Sequence, residues 1–259
     1  MQNNPASVAL SKVPEVALGF WIIKIFATTL GETGGDAVTM SMGFGYAAGS
    51  AIFLAIFALA VIFQIRAKAF YPAVYWITIV ATTTLGTTIA DFVDRSLGVG
   101  YPGGTSILIA GLVLSLAAWR WSEGSISVET VNKPRVEVFY WVAILFSQTL
   151  GTALGDWMAD TNGLGYENGA LVFFAALALV AAAHYFTQAS KTMLFWAAFV
   201  LTRPLGATLG DLLDKPHSLG GFAFSRLYAS ALLAAVIVGL VVALPQRAGT
   251  HPIAREERA

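Results

Sequence analysis

The chain has 259 residues, of which 57% are hydrophobic and only 12% are charged, and its mean hydropathy is +0.71. This composition excludes an ordinary soluble domain and predicts a membrane protein, because it comes with repeated uncharged stretches of about 20 residues, the length that spans the hydrocarbon core of a bilayer. The net charge of zero argues against a nucleic-acid partner, and the absence of cysteine excludes disulfides, thiolate metal sites and thiol redox chemistry.

In chain order, residues 1–15 are polar and lack the basic region and apolar core of a cleaved signal peptide. We expect them to form a cytoplasmic segment, with the first membrane helix acting as the targeting signal. The polar residues 245–259 are expected to form a cytoplasmic tail without regular structure. Between them we predict an all-α, polytopic membrane domain, residues 16–244. Its eight transmembrane helices are predicted near 16–37, 45–65, 70–93, 103–121, 137–158, 167–187, 192–213 and 225–244.

The odd-numbered spans carry one motif, which reads FWIIKIFATTLGETGGD, YWITIVATTTLGTTIAD, YWVAILFSQTLGTALGD and FWAAFVLTRPLGATLGD. In each copy a tryptophan is followed by Leu-Gly ten residues later and by an aspartate five residues beyond that glycine. The even spans open on Gly45-Tyr46, Gly100-Tyr101 and Gly165-Tyr166, with a shifted version at Gly220. Four copies at identical spacing predict four tandem two-helix repeats, at about 16–65, 70–121, 137–187 and 192–244.

Basic residues outside the spans predict the orientation. Ten lie on the side that holds both termini, against three on the other side, Arg95, Lys215 and Arg226, which predicts cytoplasmic termini. Because each repeat has two spans, all four share one orientation. These parallel repeats predict a pseudo-fourfold arrangement with the odd helices around a central axis.

Position within the motif predicts depth in the membrane. Each tryptophan stands at the cytoplasmic start of an odd helix, where we expect an interfacial anchor or a packing residue, with direct substrate contact as the alternative. The motif aspartate, fifteen residues later, would lie about 22 Å across, in the outer half of the bilayer. The glycines, such as Gly31 with Gly35, would let neighbouring helices approach closely.

Eight acidic residues cluster in four short windows, and carboxylates within a span are costly unless they face a cavity, a partner or an ion. Without counterions they cannot all stay ionised, so divalent cations, protons or both are predicted to take part. An oxygen-rich site favours Mn²⁺, Mg²⁺ or Ca²⁺, and thioethers from Met40, Met42 and Met158 would favour Mn²⁺. The alternative is a solvated acidic edge. The predicted metal ligands are the motif residues Asp36, Asp91, Asp156 and Asp211, with Glu32, Asp94, Asp160 and Asp214 as outer ligands or proton carriers.

Two basic residues lie within odd helices, Lys24 and Arg203, each eight residues before an acid, Glu32 and Asp211. One interpretation is an intramembrane ion pair that stabilises the fold. The other is a built-in cation that compensates charge, competes with a transported cation or senses its binding.

The four Trp…Leu-Gly…Asp units resemble a bacterial family of integral membrane proteins of uncharacterised function, built from four tandem two-helix repeats. The resemblance covers about residues 16–244. It implies an inner-membrane location, and it suggests metal export, with manganese as the metal.

The expected function is therefore secondary transport of a divalent cation, with Mn²⁺ favoured and export as the direction. No nucleotide-binding motif is visible, so ion gradients would supply the energy. The alternative is a proton-coupled transporter of a small organic solute, and a sensor or scaffold that does not transport is a third hypothesis.

An enzyme is not expected, because the Gly-x-Gly-Asp signature of intramembrane aspartyl proteases is not reproduced. Lipid and the metal ion are the expected partners, no cofactor is expected, and the oligomeric state stays open.

Overall fold

The computed structural model describes residues 10–161 and 163–250, and this part of the chain is almost entirely helical. Two short strands, β1 (Leu10–Pro14) and β2 (Ala248–Thr250), pair antiparallel. The prediction of eight helices is confirmed, with bounds within a few residues of those expected. The helices are α1 (Leu18–Asp36), α2 (Gly45–Arg66), α3 (Pro72–Asp91), α4 (Tyr101–Glu123), α5 (Pro134–Asp156), α6 (Gly165–Phe186), α7 (Lys191–Asp214) and α8 (Arg226–Ala243).

By length and composition, seven of these helices could cross a membrane, namely α2 to α8. Only α1, which carries Lys24, Glu32 and Asp36, falls outside that set. The apolar helices indicate a membrane protein, as predicted from composition.

The helix boundaries follow from glycine and proline. Prolines stand in the first turns of α3, α4 and α5, where a missing N–H removes no helical hydrogen bond. The glycine of the Gly-Tyr landmark has φ of 71° to 74° at Gly45, Gly100 and Gly165, a backbone conformation that favours glycine and reverses the chain into the next helix.

A π-helical turn follows the motif aspartate in the first three repeats, at Ala37–Ser41, Phe92–Ser96 and Trp157–Thr161. In the fourth repeat, α7 instead stays α-helical to Asp214. Single π-helical turns are rare and occur frequently at functional sites.

The odd helices form a closed inner ring in which α1 contacts α3, α3 contacts α5, α5 contacts α7 and α7 contacts α1. Each even helix packs outside this ring against the odd helix of the following repeat, and α8 closes the series on α1. In the spans of α3, α5 and α7, 67% to 72% of residues are buried, against 17% to 22% in the even helices. The even helices therefore present most of the apolar outer surface.

Glycines hold the inner ring together. Each Leu-Gly glycine lies against one residue of the following repeat, the one that stands eight positions before the motif aspartate. A Cβ added to the glycine would overlap or press on the side chain of that residue. Close packing at small residues brings helix backbones together. The pairs are Gly31 with Thr83, Gly86 with Gln148, Gly151 with Arg203 and Gly206 with Thr28.

The aromatic pairs that open the four motifs form a layer, called here the aromatic layer, where the odd helices begin. Trp76, Trp141 and Trp196 are at most 5% exposed, so of the two expected roles, interfacial anchor or packing residue, their burial supports packing. They face the interior because each pair packs on the pair of the next repeat. Ring centroids are separated by 5.5 Å for Phe20–Trp76, 5.8 Å for Tyr75–Trp141, 6.4 Å for Tyr140–Trp196 and 5.7 Å for Phe195–Trp21.

The strand β1 covers the helix bundle at this same end. Ser11 donates a hydrogen bond to the carbonyl oxygen of Val128 at 2.8 Å, and the Lys12 amine lies 2.6 Å from Oε1 of Glu137 on α5. The expectation that the C-terminal segment lacks regular structure fails at residues 248–250, because β2 finds a partner in β1. The rest of that expectation, at 251–259, lies outside the described residues, as do residues 1–9.

Candidate cation site at the aspartate end

The four motif aspartates come together at the end of the ring away from the aromatic layer. Fifteen residues of helix separate each aspartate from its tryptophan, which is about 22 Å. All four carboxylates are at most 2% exposed. This set, called here the aspartate layer, consists of Asp36, Asp91, Asp156 and Asp211.

Two cations from the chain itself bridge the aspartate layer. Arg95 Nε lies 3.0 Å from Asp91 Oδ1, and Arg95 Nη2 lies 3.0 Å from Asp156 Oδ2. Lys215 Nζ lies 2.7 Å from Asp36 Oδ2 and 3.0 Å from Asp211 Oδ1. Each cation stands four residues after the aspartate of its own repeat, and it joins that aspartate to the one in a neighbouring repeat.

A third cation, Arg226, joins the outer acid Asp214 to this cluster. Its Nε lies 3.0 Å from Asp214 Oδ2 and 3.6 Å from Asp36 Oδ2. Burial alone would lower the pKa of the Lys215 amine, but the charges of Asp211, Asp36 and Asp214 outweigh burial and raise that pKa above its usual range. Lys215 therefore stays charged at neutral pH.

These ion pairs correct one prediction. The carboxylates do not need metal ions or protons for all of their charge compensation, because Arg95, Lys215 and Arg226 lie among them. Compensation is nevertheless incomplete. Within the described chain, the aspartate layer sets four carboxyl groups against two bridging cations, so with every acid ionised it would carry an excess of two negative charges.

Arg203 occupies the centre of the ring one turn below the aspartates. Its Nη2 atom donates to Glu32 Oε2 at 3.0 Å and contacts the hydroxyls of Thr87 and Thr152, each at 2.5 Å. Glu32, Thr87 and Thr152 stand at the same motif position, four residues before the aspartate, in three different repeats. The guanidinium of the fourth repeat therefore ties the other three together across the axis.

Lys24 lies deeper still, and it is fully buried. Its amine donates to the carbonyl oxygen of Phe199 at 3.0 Å and to the hydroxyl of Thr202 at 2.5 Å, and it stands 3.8 Å from the centre of the Phe199 ring. The proposed pairing of Lys24 with Glu32 within α1, and of Arg203 with Asp211 within α7, is wrong. Eight residues of helix span about 12 Å, so the ends of such a segment do not touch.

Two groups of three acids have carboxylate oxygens within 4.8 Å of one another, Glu32 with Asp156 and Asp211, and Asp36 with Asp211 and Asp214. In both groups all the acids are buried. In the first group, Oδ1 of Asp156 has no hydrogen-bond partner among the described residues. Cations of the chain contact the acids of both groups, Arg203, Arg95 and Lys215 in the first and Lys215 and Arg226 in the second. The first group is the candidate cation ligand set because its acids come from three different odd helices, α1, α5 and α7.

Three of the eight predicted acids, Asp91, Asp94 and Asp160, belong to neither group, and Asp91 contacts Arg95 instead. Asp94 lies against Gly104 at the start of α4. Asp160 accepts hydrogen bonds from the hydroxyls of Tyr166, at 3.1 Å, and Tyr101, at 3.3 Å. The Gly-Tyr landmark thus supplies a tyrosine to the acidic end.

A cavity of about 580 Å³ opens beside the aspartate layer. Asp160, Tyr166 and Met40 are among its lining residues, together with the cations Arg95, Lys215 and Arg226. Of the other methionines named from the sequence, Met158 packs beside a buried apolar cluster and Met42 is exposed.

From the sequence, Arg95, Lys215 and Arg226 were expected only to mark the orientation, and their contacts with the acids were not predicted. The signal was available, because Asp91 and Arg95, like Asp211 and Lys215, stand four residues apart on one helix face. Thr87 and Thr152 were also missed, and only their shared motif position with Glu32 would have indicated them.

Comparison with known proteins gives one result. No curated protein and no solved structure matches the chain. Four successive segments, residues 19–70, 74–125, 139–190 and 194–247, match a repeat described as Repeat of Unknown Function (DUF347). These segments agree with the four tandem repeats predicted from the Trp…Leu-Gly…Asp motif. Because they account for most of the sequence, the chain belongs to the DUF347 repeat family.

Proposed function

We propose that this protein is a secondary transporter of a divalent metal cation, and that Glu32, Asp156 and Asp211 bind the ion. The observation that carries the proposal is the convergence of three buried carboxylates within 4.8 Å, one of them with an unpartnered oxygen. The excess of two negative charges in the aspartate layer matches the charge of one divalent ion. Hard cations prefer such oxygen ligands.

The wider pathway in this proposal follows the axis of the inner ring. Asp36, Asp91 and Asp214, which contact Lys215, Arg95 and Arg226, would act as outer ligands. Asp94 and Asp160 are peripheral acids that attract cations or carry protons. The ring contacts of the odd helices support the pseudo-fourfold arrangement that this pathway requires.

Mn²⁺ is the substrate in this proposal, and export is the direction of transport. Met40 lines the cavity beside the acids, and a thioether there would favour Mn²⁺ over Mg²⁺. We propose export across a bacterial inner membrane, with both termini in the cytoplasm and ion gradients as the energy source. Arg203 and Lys24 would compensate charge along the pathway.

The test is Mn²⁺ binding by calorimetry and Mn²⁺ flux in proteoliposomes. Asp156→Asn should weaken binding by at least about thirtyfold and remove flux, because it removes a ligand and one of the two excess charges. The matched control is Glu137→Gln, a buried carboxyl near the other end of the same helix that pairs with Lys12. Wild-type binding that survives Asp156→Asn would contradict the site, and absence of divalent flux in the wild type would contradict the function.

The cavity supports a second candidate, a proton-coupled transporter of a small organic solute. Three cations and two aromatic or thioether side chains line a space of about 580 Å³, which suits a small molecule with a carboxylate group. Stabilisation of the purified protein by organic acids, and by no divalent metal, would favour this candidate.

A further inference from the structure

The interior of the ring holds a second polar region, one turn closer to the aromatic layer than Glu32. It consists of the four residues that stand eight positions before the motif aspartates, Thr28, Thr83, Gln148 and Arg203, and is called here the arginine layer. All four are fully buried. Each packs against the Leu-Gly glycine of the preceding repeat, so they occupy one level of the ring.

The arginine layer has hydrogen-bond donors without acceptors. Arg203 uses only Nη2, and its Nε and Nη1 atoms have no partner in the described part of the chain. The same holds for Nε2 of Gln148 and the hydroxyl of Thr83, and the Oε1 acceptor of Gln148 also has no partner among the described residues. Buried polar groups are otherwise almost always paired, so a set of orphaned donors indicates a bound water or ion.

These donors lie close together. Arg203 reaches Thr87 and Thr152 with Nη2, and Thr83 and Gln148 stand one helical turn, about 6 Å, before those threonines on the same faces of α3 and α5. Gln148 also packs on Gly86, three residues after Thr83, and Arg203 packs on Gly151, three residues after Gln148. The three side chains therefore follow one another around the axis.

The guanidinium favours an anion over water as the occupant. Among the described residues only Glu32 lies within ion-pair distance of Arg203, and it contacts Nη2 alone. The Nε and Nη1 groups of a buried cation are left without acceptors in a layer whose four side chains are all buried. Such groups are costly to bury unpaired, and a monovalent anion would supply the acceptors.

We propose that the arginine layer binds a small monovalent anion such as chloride, held by Arg203, Gln148 and Thr83. This site adjoins the proposed metal site, because Arg203 contacts Glu32, but it does not depend on a transport function. An anion supplies only acceptors, which is what three N–H groups of Arg203, the Nε2 group of Gln148 and the Thr83 hydroxyl lack.

The experiment measures the melting temperature of the purified full chain by tryptophan fluorescence. Sodium chloride replaces sodium gluconate at constant ionic strength, with a chelator present to remove divalent metals. The expected result is a saturable rise in melting temperature with chloride. No rise with chloride or bromide would overturn the proposal and assign the donors to water.

Two variants locate the site. Thr83→Val keeps the side-chain shape and removes one donor, so it should weaken the apparent chloride affinity about tenfold, as expected for a hydrogen bond to a charged group. The matched control is Thr82→Val, because the Thr82 hydroxyl is equally buried but already donates to the carbonyl oxygen of Thr78. If both variants respond to chloride like the wild type, the anion binds elsewhere and the proposal is wrong.

Anomalous diffraction from bromide locates the anion directly, and it requires no variant of the protein. Crystals grown in sodium bromide should show an anomalous peak in contact with the guanidinium of Arg203. A peak only at the protein surface would overturn the assignment. The result is independent of metal flux, so failure of the metal proposal would leave the anion site in place.

Discussion

The aspartate layer and the arginine layer are two levels of one ring with opposite composition. The first sets four acidic side chains against two basic ones, Arg95 and Lys215. The second, with Lys24 and Glu32 beside it, sets two basic side chains against one acid. Equivalent positions in four similar repeats have thus diverged, so the function of the ring depends on the differences between repeats as much as on their shared motif.

The largest expected effect tests whether Arg203 joins the two layers. Arg203→Met would leave Glu32 buried without its cation, and breaking a buried pair in this way costs about 3 to 5 kcal/mol of unfolding free energy. Denaturant unfolding in detergent measures the loss. The control, Arg135→Met, removes an exposed pair with Glu123 and should cost less than about 1 kcal/mol.

If Arg203→Met lowers the unfolding free energy no more than the control does, the guanidinium is not needed to join the repeats. The double variant Arg203→Met with Glu32→Gln sharpens the result. It should recover part of the loss, because no buried charge is then left unpaired.

A somewhat smaller effect tests the spacing of the ring. Gly151→Ala would place a methyl group against the side chain of Arg203, and overpacking of this kind costs about 1 to 3 kcal/mol. Gly239→Ala on α8 has open space around the added methyl group and should be neutral or slightly stabilising. Thermal unfolding distinguishes the two, and equal melting temperatures would contradict the close contact between α5 and α7.

The third effect concerns the charge of the aspartate layer. Lys215→Met removes one bridging cation, so the excess negative charge rises and Mn²⁺ should bind about tenfold more tightly by calorimetry. Lys191→Met, at the other end of α7, should leave Mn²⁺ affinity unchanged. Weaker Mn²⁺ binding in Lys215→Met would show that the lysine organises the ligands instead of competing with the metal.

The smallest effect comes from the aromatic layer, which we expect to act as packing. The buried hydroxyls of Tyr75 and Tyr140 lie 2.7 Å apart, and Tyr75→Phe leaves one of them unpaired at a cost of about 1 to 2 kcal/mol. The double variant Tyr75→Phe with Tyr140→Phe should be nearly neutral in thermal unfolding. A change in the chloride or Mn²⁺ response of the double variant would show that the aromatic layer takes part in binding.

The sequence predicted the helices and the repeats well, because apolar length and a motif spaced identically four times are properties of the chain alone. It also predicted that the motif aspartates would meet. It did not predict the partners of Lys24 and Arg203, since these depend on which helix of another repeat faces each side chain. A packing role for Trp76, Trp141 and Trp196 was among the expectations, but their ring partners in the neighbouring repeats could not be predicted for the same reason.

The pairing of β1 with β2 has a consequence for the chain as a whole. It places the two ends of the described chain side by side, and α8 packs on α1 as every even helix packs on the next odd one. The polypeptide is therefore almost circular, and its starting point is arbitrary with respect to the ring. A permuted gene that begins between α4 and α5, with the natural ends joined by a short linker, should encode the same set of helix contacts. In such a permutant the chain ends would lie between α4 and α5 instead of at the β1–β2 pair, and the ring would stay closed.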